Sequence, residues 1–289
     1  MAQTKRIGAI IPTWQAGEDF ELLLKDLAKQ TISFTRKLII DSSSADGTVK
    51  KAEAAGWEVK VIPKENFSHG GSRALAFTHI ADDVDFVLFL TQDVRIPDAL
   101  AVEKLLASFG DEKVGAAYGR QTASDGADEA AKLQREFSYP NQSRKKTLLD
   151  RQKLGLKTPF ISNSFAMYRV SALKGVGSFP PVETCEDILT GVRLLEAGFT
   201  IAYEADAVVK HSHNFKWKET ISRYQAIGRF YAEEKTLFQQ FGKGESEGVK
   251  LLFYQLKKAV KEHGLTPAVK IILQNAVKYV AYKKGYLSI

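Results

Sequence analysis

Between residues 6 and 90, short apolar runs alternate with amphipathic stretches, and this alternation constrains the fold more than any other feature of the chain. RIGAIIP at 6–12 reads as a buried strand closed by Pro12, and residues 17–30 place Phe20, Leu23, Leu24 and Leu27 at helical spacing. Residues 37–41 read as a second strand, 48–55 as a helix capped by Asp46, and 58–62 as a third strand. A helix over 71–80 and a fourth strand over 85–90 follow. Strand and helix in alternation with short connections predict an α/β fold, with a mostly parallel sheet covered on both faces and right-handed crossovers. Ligands of such sheets sit at the carboxyl ends of the strands, so the loops after residues 12, 41, 62 and 90 carry the interest.

The second half is less regular. It predicts a strand near 114–118, helices near 128–138 and 145–154, a strand at 160–168, a helix at 186–197, strand segments near 200–210 and helix from 217 to 241. No period of 20–50 residues repeats, which excludes solenoids and propellers. With 289 residues and 44% hydrophobic content the chain has enough apolar surface for a full core. It has no apolar run of about 18 residues for a membrane span. The start of the chain lacks a signal-peptide pattern, and the lone Cys185 excludes an internal disulfide or a multi-cysteine zinc site. The expectation is a soluble, cytoplasmic protein.

The four loops point to one kind of ligand. Asp41 heads DSSSADGT, where its carboxylate either accepts from a ribose hydroxyl or base N–H or merely caps a turn. In NFSHGGSR, Gly70 and Gly71 open a helix beside His69 and Arg73; backbone amides, the positive helix end and these donors suit a diphosphate. In Thr91-Gln92-Asp93, the carboxylate just past a buried strand suits a divalent ion held against phosphate oxygens. Further on, Glu186-Asp187 opens an apolar helix. A carboxylate there is expected to stay ionised at neutral pH, as proton abstraction requires, unless both acids serve only the helix dipole. At His211-Ser212-His213 the two rings point to opposite faces of an extended chain, so only one would face an ion.

The stretches IPTWQAG, DSSSADGT, FSHGGSRALA, FLTQDVRIP, YGRQ, FISNSFAMYR, CEDILTG and VVKHSH, in this order, resemble glycosyltransferase family 2 with its GT-A fold, and most of all the bacterial rhamnosyltransferases. The resemblance implies an inverting sugar transfer, with dTDP-β-L-rhamnose as donor and a glycan or lipid-linked saccharide of a cell-surface polysaccharide as acceptor; a UDP-hexose or GDP-mannose donor is the alternative. It assigns Pro12, Thr13 and Asp41 to base and ribose, and His69, Gly70, Gly71, Arg73, Gln92 and Asp93 to the sugar diphosphate. Mg²⁺ or Mn²⁺ falls to Asp93 with His211, ahead of His213, and the catalytic base to Asp187 beside Glu186. Tyr118, Arg120, Gln121, Asn163 and Ser164 are expected to line the sugar and acceptor pockets. The usual Asp-x-Asp is Thr91-Gln92-Asp93 here, so the first carboxylate is absent. The expected domains are a GT-A domain over 1–215, with its nucleotide-sugar half at 1–120 and acceptor half at 121–215, and a helical basic extension over 216–289.

Nearly all of the net charge of +7 lies in that extension: residues 241–289 hold nine Lys, no Arg and three Glu. Such a tail meets an anionic surface. The lack of Arg argues against nucleic acid, since Arg is what base recognition prefers. Val249, Leu252, Phe253, Leu256 and Val260 share one helical face among the lysines, which predicts docking on the inner face of a membrane. Packing on residues 217–241, or on a second copy in a homodimer, is the alternative. A nucleotidyltransferase would want a Gly-rich, Arg-containing first loop, which IPTWQAGED does not provide.

Overall fold

The apolar runs are central strands. In this computed structural model, which describes residues 5–212, 215–242 and 244–289, the chain begins β1 (Ile7–Thr13), α1 (Asp19–Ala28), β2 (Arg36–Asp41), α2 (Thr48–Ala54) and β3 (Glu58–Val61). Next come α3 (His69–Ile80), β4 (Phe86–Leu90), α4 (Ala101–Ala107), β5 (Val114–Thr122), α5 (Glu129–Ser138) and β6 (Arg144–Lys146). Then follow α6 (Arg151–Leu154), β7 (Phe165–Arg169), α7 (Val170–Gly175), α8 (Glu186–Glu196) and β8 (Thr200–Lys210). The last helices are α9 (Trp217–Glu233), α10 (Lys235–Phe238), α11 (Gly244–His263) and α12 (Leu265–Tyr286).

Two compact units emerge. The first comprises Met1–Arg120, Asn141–Leu148 and Pro159–His211. Its eight-stranded sheet has the order β3-β2-β1-β4-β7-β5-β8-β6. The β3, β2, β1 and β4 strands are parallel, whereas β7 runs antiparallel to β4 and to β5, and β6 antiparallel to β8. Every residue of β4 is buried, as a strand covered on both faces requires. The edge strand β3 (EVKV) carries charge and stays partly exposed, which blunts further pairing.

Two predicted elements differ. Residues 145–154, expected as helix, divide into β6, a 3₁₀ turn at Leu148–Asp150 and the single turn of α6. The buried Lys146 explains the strand: its Nζ donates to Phe160 O (2.6 Å) and Tyr118 Oη (3.2 Å). The strand expected from 160 begins only at Phe165, because Asn163 leaves the sheet to bond two acids of α8.

The second unit comprises Gln121–Pro140, Leu149–Thr158 and Ser212–Ile289. Residues 121–140, assigned from sequence to the first domain, group here because α5 is bonded to the last two helices. Gln255 Nε2 donates to Ala130 O (2.9 Å), Gln274 Nε2 to Asp128 (3.0 Å), and Lys258 pairs with Glu136 (2.6 Å). The α9 and α12 helices cross with their backbones in contact: a Cβ on Gly228 would fall 2.1 Å from Tyr282 O, and one on Gly285 2.0 Å from Gln225 O. On α11, Leu252 and Leu256 pack inward while Val249, Phe253 and Val260 stay exposed; Val269, Ile272, Leu273 and Val280 of α12 are exposed as well. No described helix is long and apolar enough to cross a membrane.

Candidate active site

The first cluster forms where β1, β2, β4 and β8 end. Thr13 and Asp41 are register partners at the last rung of β1 and β2. Asp41 is fully buried and accepts from Thr13 Oγ1 (2.7 Å), Ser44 N (2.7 Å) and Ser44 Oγ (2.7 Å). A carboxylate has about four acceptor positions, so these bonds leave room for one more. Pro12 precedes this pair, half-buried. The Gln92 amide is held by the first loop, accepting from Trp14 N (2.8 Å) and donating to Trp14 O (3.1 Å). It ties two strand-end loops together, where the sequence assigned it to the sugar diphosphate. Trp14 itself is 46% exposed with Lys64 Nζ 3.9 Å from its ring centre, a flat apolar surface at the strand ends that the sequence reading did not single out. An exposed aromatic in a strand-end loop was the available signal.

Asp93 and His211 meet because the chain after β4 pairs with the end of β8: Arg95 N donates to Lys210 O (3.0 Å) and Lys210 N to Arg95 O (2.9 Å). This bridge sets Asp93 Oδ2 3.4 Å from His211 Nε2. The carboxylate is a donor that Mg²⁺ and Mn²⁺ both take, and the imidazole beside it favours Mn²⁺, the softer of the two. Among the described residues no third His, Cys, Asp or Glu joins them, so an ion held here would take its other ligands from elsewhere. The residues fit such an ion. His213 lies outside the described residues.

The helix start of α3 departs from the expected phosphate cradle. Its amides are already donated, Gly71 N to the capping Ser68 Oγ (3.0 Å) and Gly70 N to Val182 O (3.2 Å). Gly70 is needed for a close approach: a Cβ there would lie 1.7 Å from Pro180 O. Arg73 is buried and turned inward, its Nη1 3.1 Å from Glu186 Oε1 and 3.1 Å from His69 O. His69 Nδ1 lies 3.3 Å from the same nitrogen. The diglycine and Arg73 thus bind protein, not an open anion site.

They bind the acid pair at the start of α8. Cys185 turns the chain into that helix with φ +62°, a left-handed conformation rare for a residue with a side chain. Asn163 bonds both acids: its Nδ2 donates to Glu186 Oε1 (3.0 Å) and its N to Asp187 Oδ2 (3.2 Å). Tyr168 Oη donates to Asn163 Oδ1 (2.7 Å), which settles the amide's orientation. Asp187 Oδ1 also accepts from Ile188 N (2.9 Å). Burial tends to raise the Glu186 pKa, but Arg73, His69 and the Asn163 bond outweigh it and hold the carboxyl below the usual range. Asp187 is pushed up to about 7, first by burial among protein atoms and then by the charge of Glu186. The residue as a whole is half-buried. The expectation that the helix dipole keeps it fully ionised at neutral pH is therefore corrected. Burial and a like charge outweigh the dipole, leaving a carboxyl that exchanges its proton near neutrality. Burial first, then both acids, raise the Tyr168 phenol well above its ordinary value, so it remains a donor.

The expected pocket residues divide. Tyr118 is core: buried, with Lys146 on its hydroxyl and its ring edge-on to Phe160. Arg120 Nη1 donates to Asn141 Oδ1 (2.8 Å). Gln121 and Ser164 are buried, and Asn163 serves the acids. A cavity of about 680 Å³ lies elsewhere, bounded by α1, α2 and the start of β2, and contains none of these residues.

The strand-end loops, the carboxylate–imidazole pair and the paired-acid helix start all lie on the sheet unit. The family model described as Glycosyl transferase family 2 matches residues 9–177, and the chain belongs to that family. It is 34% identical over 282 residues to the O-antigen chain rhamnosyltransferase RfbN of Salmonella typhimurium, covering 97% of this chain and 89% of that protein. The WbaN rhamnosyltransferase of Salmonella anatum is 35% identical over 278 residues, covering 96% and 88%. Among solved structures, the mannosyltransferase PcManGT of Pyrobaculum calidifontis, in complex with GDP-Man and Mn²⁺, superposes with TM-score 0.62 at 14% identity over 99% of this chain and 88% of that one. S. aureus TarS 1-349 gives 0.56 at 17% identity, over 98% and 90%. These neighbours share the GT-A-like fold.

Proposed function

We propose that this glycosyltransferase transfers L-rhamnose from dTDP-β-L-rhamnose, with inversion, to a glycan or lipid-linked saccharide of a bacterial surface polysaccharide. The observation that carries the chemistry is the Asp187 carboxyl, held by two backbone amides in a half-buried residue at the start of α8 and poised near neutral pH. The sugar and the polysaccharide rest on the near full-length similarity to two O-antigen chain rhamnosyltransferases.

In the proposed reaction Asp187 takes the proton of an acceptor hydroxyl. That oxygen bonds to C1 of the sugar as the C1–O bond to the diphosphate breaks on the opposite face, and the electron pair leaves with the diphosphate. One displacement turns a β donor into an α-L-rhamnoside. A base with a pKa near the working pH combines availability with driving force. Thr13 and Asp41 would bind the nucleoside, with Trp14 as a face for its base. Asp93 and His211 would hold a divalent cation. When bound, that ion supplies positive charge against the diphosphate as it leaves.

The exposed apolar residues of α11 and α12 among lysines support docking on an anionic membrane surface, which would bring the enzyme to a lipid-linked acceptor. The donor assignment is tested by a panel of dTDP-rhamnose, UDP-glucose, UDP-galactose and GDP-mannose, scored by thermal shift and donor hydrolysis with Mg²⁺ or Mn²⁺. The expected result is stabilisation and turnover with dTDP-rhamnose above the others. Preference for another donor would overturn the sugar while leaving the transferase chemistry in place.

A further inference from the structure

The start of α3 sits at the carboxyl end of the strands, where a ligand is expected, yet its amides are bonded within the protein and Arg73 is turned toward α8. Gly70 N is bonded to Val182 O, and Gly71 N to Ser68. Arg73 is 3% exposed, and its Nη1 lies 3.1 Å from Glu186 Oε1. Its Nε is buried without a hydrogen-bond partner, so the contacts that hold the guanidinium are those of Nη1. The charge of Glu186 explains its position. A carboxylate 4% exposed is unfavourable without a cation, and Arg73 is the cation in contact with it.

The groups around the acids form one chain. Tyr168 Oη bonds Asn163, Asn163 bonds Glu186 through its amide and Asp187 through its backbone N, and Arg73 closes the far side with His69 beside it. Glu186 is fixed from two directions, and Asp187 follows it in the same turn of helix.

From this geometry we infer that Arg73 is a positioning residue for the base: it neutralises and anchors Glu186 so that the Asp187 carboxyl is held toward the acceptor, and it does not bind the donor diphosphate. Gly70 completes the same device by letting the Pro180–Val182 segment lie directly on the helix start. The inference rests on Asp187 being the base, and its consequences follow from the pairing. With Arg73 gone, Glu186 is an uncompensated buried charge. With Glu186 neutralised as well, that fault is relieved. The charged state of Glu186 also raises the proton affinity of Asp187.

The test is a double-variant cycle in the full-length protein: Arg73→Gln, Arg73→Lys, Glu186→Gln and Arg73→Gln/Glu186→Gln, with Asp187→Asn as reference. Turnover of the donor is read against pH, together with the Kd for the nucleoside diphosphate and thermal unfolding. Arg73→Gln should lower kcat at least about tenfold while the Kd stays within about threefold, and adding Glu186→Gln should restore part of both kcat and melting temperature, the non-additivity of groups in contact. Arg73→Lys, which keeps the charge, should fall between wild type and Arg73→Gln. In Glu186→Gln the acid limb of the kcat profile should move to lower pH, since Asp187 loses its like-charged neighbour; an unmoved limb would show that the charge of Glu186 does not reach the base. Should Arg73→Gln fail to fold, Arg73→Lys and the Glu186→Gln profile still decide. Additive losses in the cycle, an unmoved acid limb, or a tenfold weaker nucleotide Kd in the Arg73 variants would overturn the inference. Substantial turnover in Asp187→Asn would instead remove the base assignment on which it rests.

Discussion

Replacing Gly70 by Ala adds one methyl group at a place with no room for it. That Cβ would lie 1.7 Å from Pro180 O, 2.9 Å from Pro180 C and 3.0 Å from Val182 N, all backbone atoms that cannot rotate aside. Ordinary contact needs roughly 3.5 Å, so the Pro180–Val182 segment must retreat by about 1.5–2 Å. The retreat breaks the 3.2 Å bond from Gly70 N to Val182 O, and the segment leads directly into Cys185 and the acids of α8. Overpacking of this kind costs about 1–3 kcal/mol of stability. A misplacement of about 1 Å at a reacting group can cost about 10²-fold in rate, which is the expected order of the loss in kcat. Kinetics and nucleotide calorimetry on the same folded preparation check this. The expected outcome is a lowered kcat with nucleoside diphosphate affinity within about threefold of wild type. A folded Gly70→Ala protein with normal kcat, or with only nucleotide affinity lost, would refute the reasoning and return the helix start to the diphosphate.

The kcat of the wild type should rise with pH through about 7, because the base works only when Asp187 has lost its proton; a profile flat from pH 6 to 8 would contradict it. Unfolded Asp187 ionises near its ordinary value while the folded group holds its proton to about 7. Wild-type stability should therefore fall relative to Asp187→Asn as pH rises between these values and level off above, measured by thermal or urea unfolding. Asp93→Ala and His211→Ala should each weaken Mn²⁺-dependent nucleotide binding, and full activity in EDTA would show that no divalent ion is used. The full chain should sediment with anionic liposomes at low salt and not with neutral ones, and replacing Phe253 and Leu273 with Ser should reduce sedimentation.

Legibility followed the range of the interactions involved. The β1, β2 and β4 strands were readable to within a residue because continuous apolar runs on a covered sheet are a local signal. Residues 145–154 were not, because Lys146 is held in a strand by Phe160 O and the Tyr118 hydroxyl, partners on other elements. The site shows the same division. Asp93, His211 and the acid pair were marked by residue type at element ends. The orientation of Arg73 was hidden, since a helix-start arginine reads alike whether it faces a phosphate or a distant glutamate. Gly70 read as an anion cradle for the same reason: the backbone it accommodates belongs to Pro180. The raised pKa of Asp187 depends on burial and on the direction of the Glu186 side chain, neither of which spacing along a helix conveys.

The central claim is that Asp187 removes the acceptor proton, and its most direct test is turnover by Asp187→Asn, read as transfer to a lipid-linked saccharide or as donor hydrolysis with water in the acceptor's place. The variant should fold, bind the nucleoside diphosphate within about threefold of wild type, and turn over about 10²–10⁴ times more slowly. Turnover near the wild-type rate would contradict the account, and the base would have to be sought elsewhere in the site.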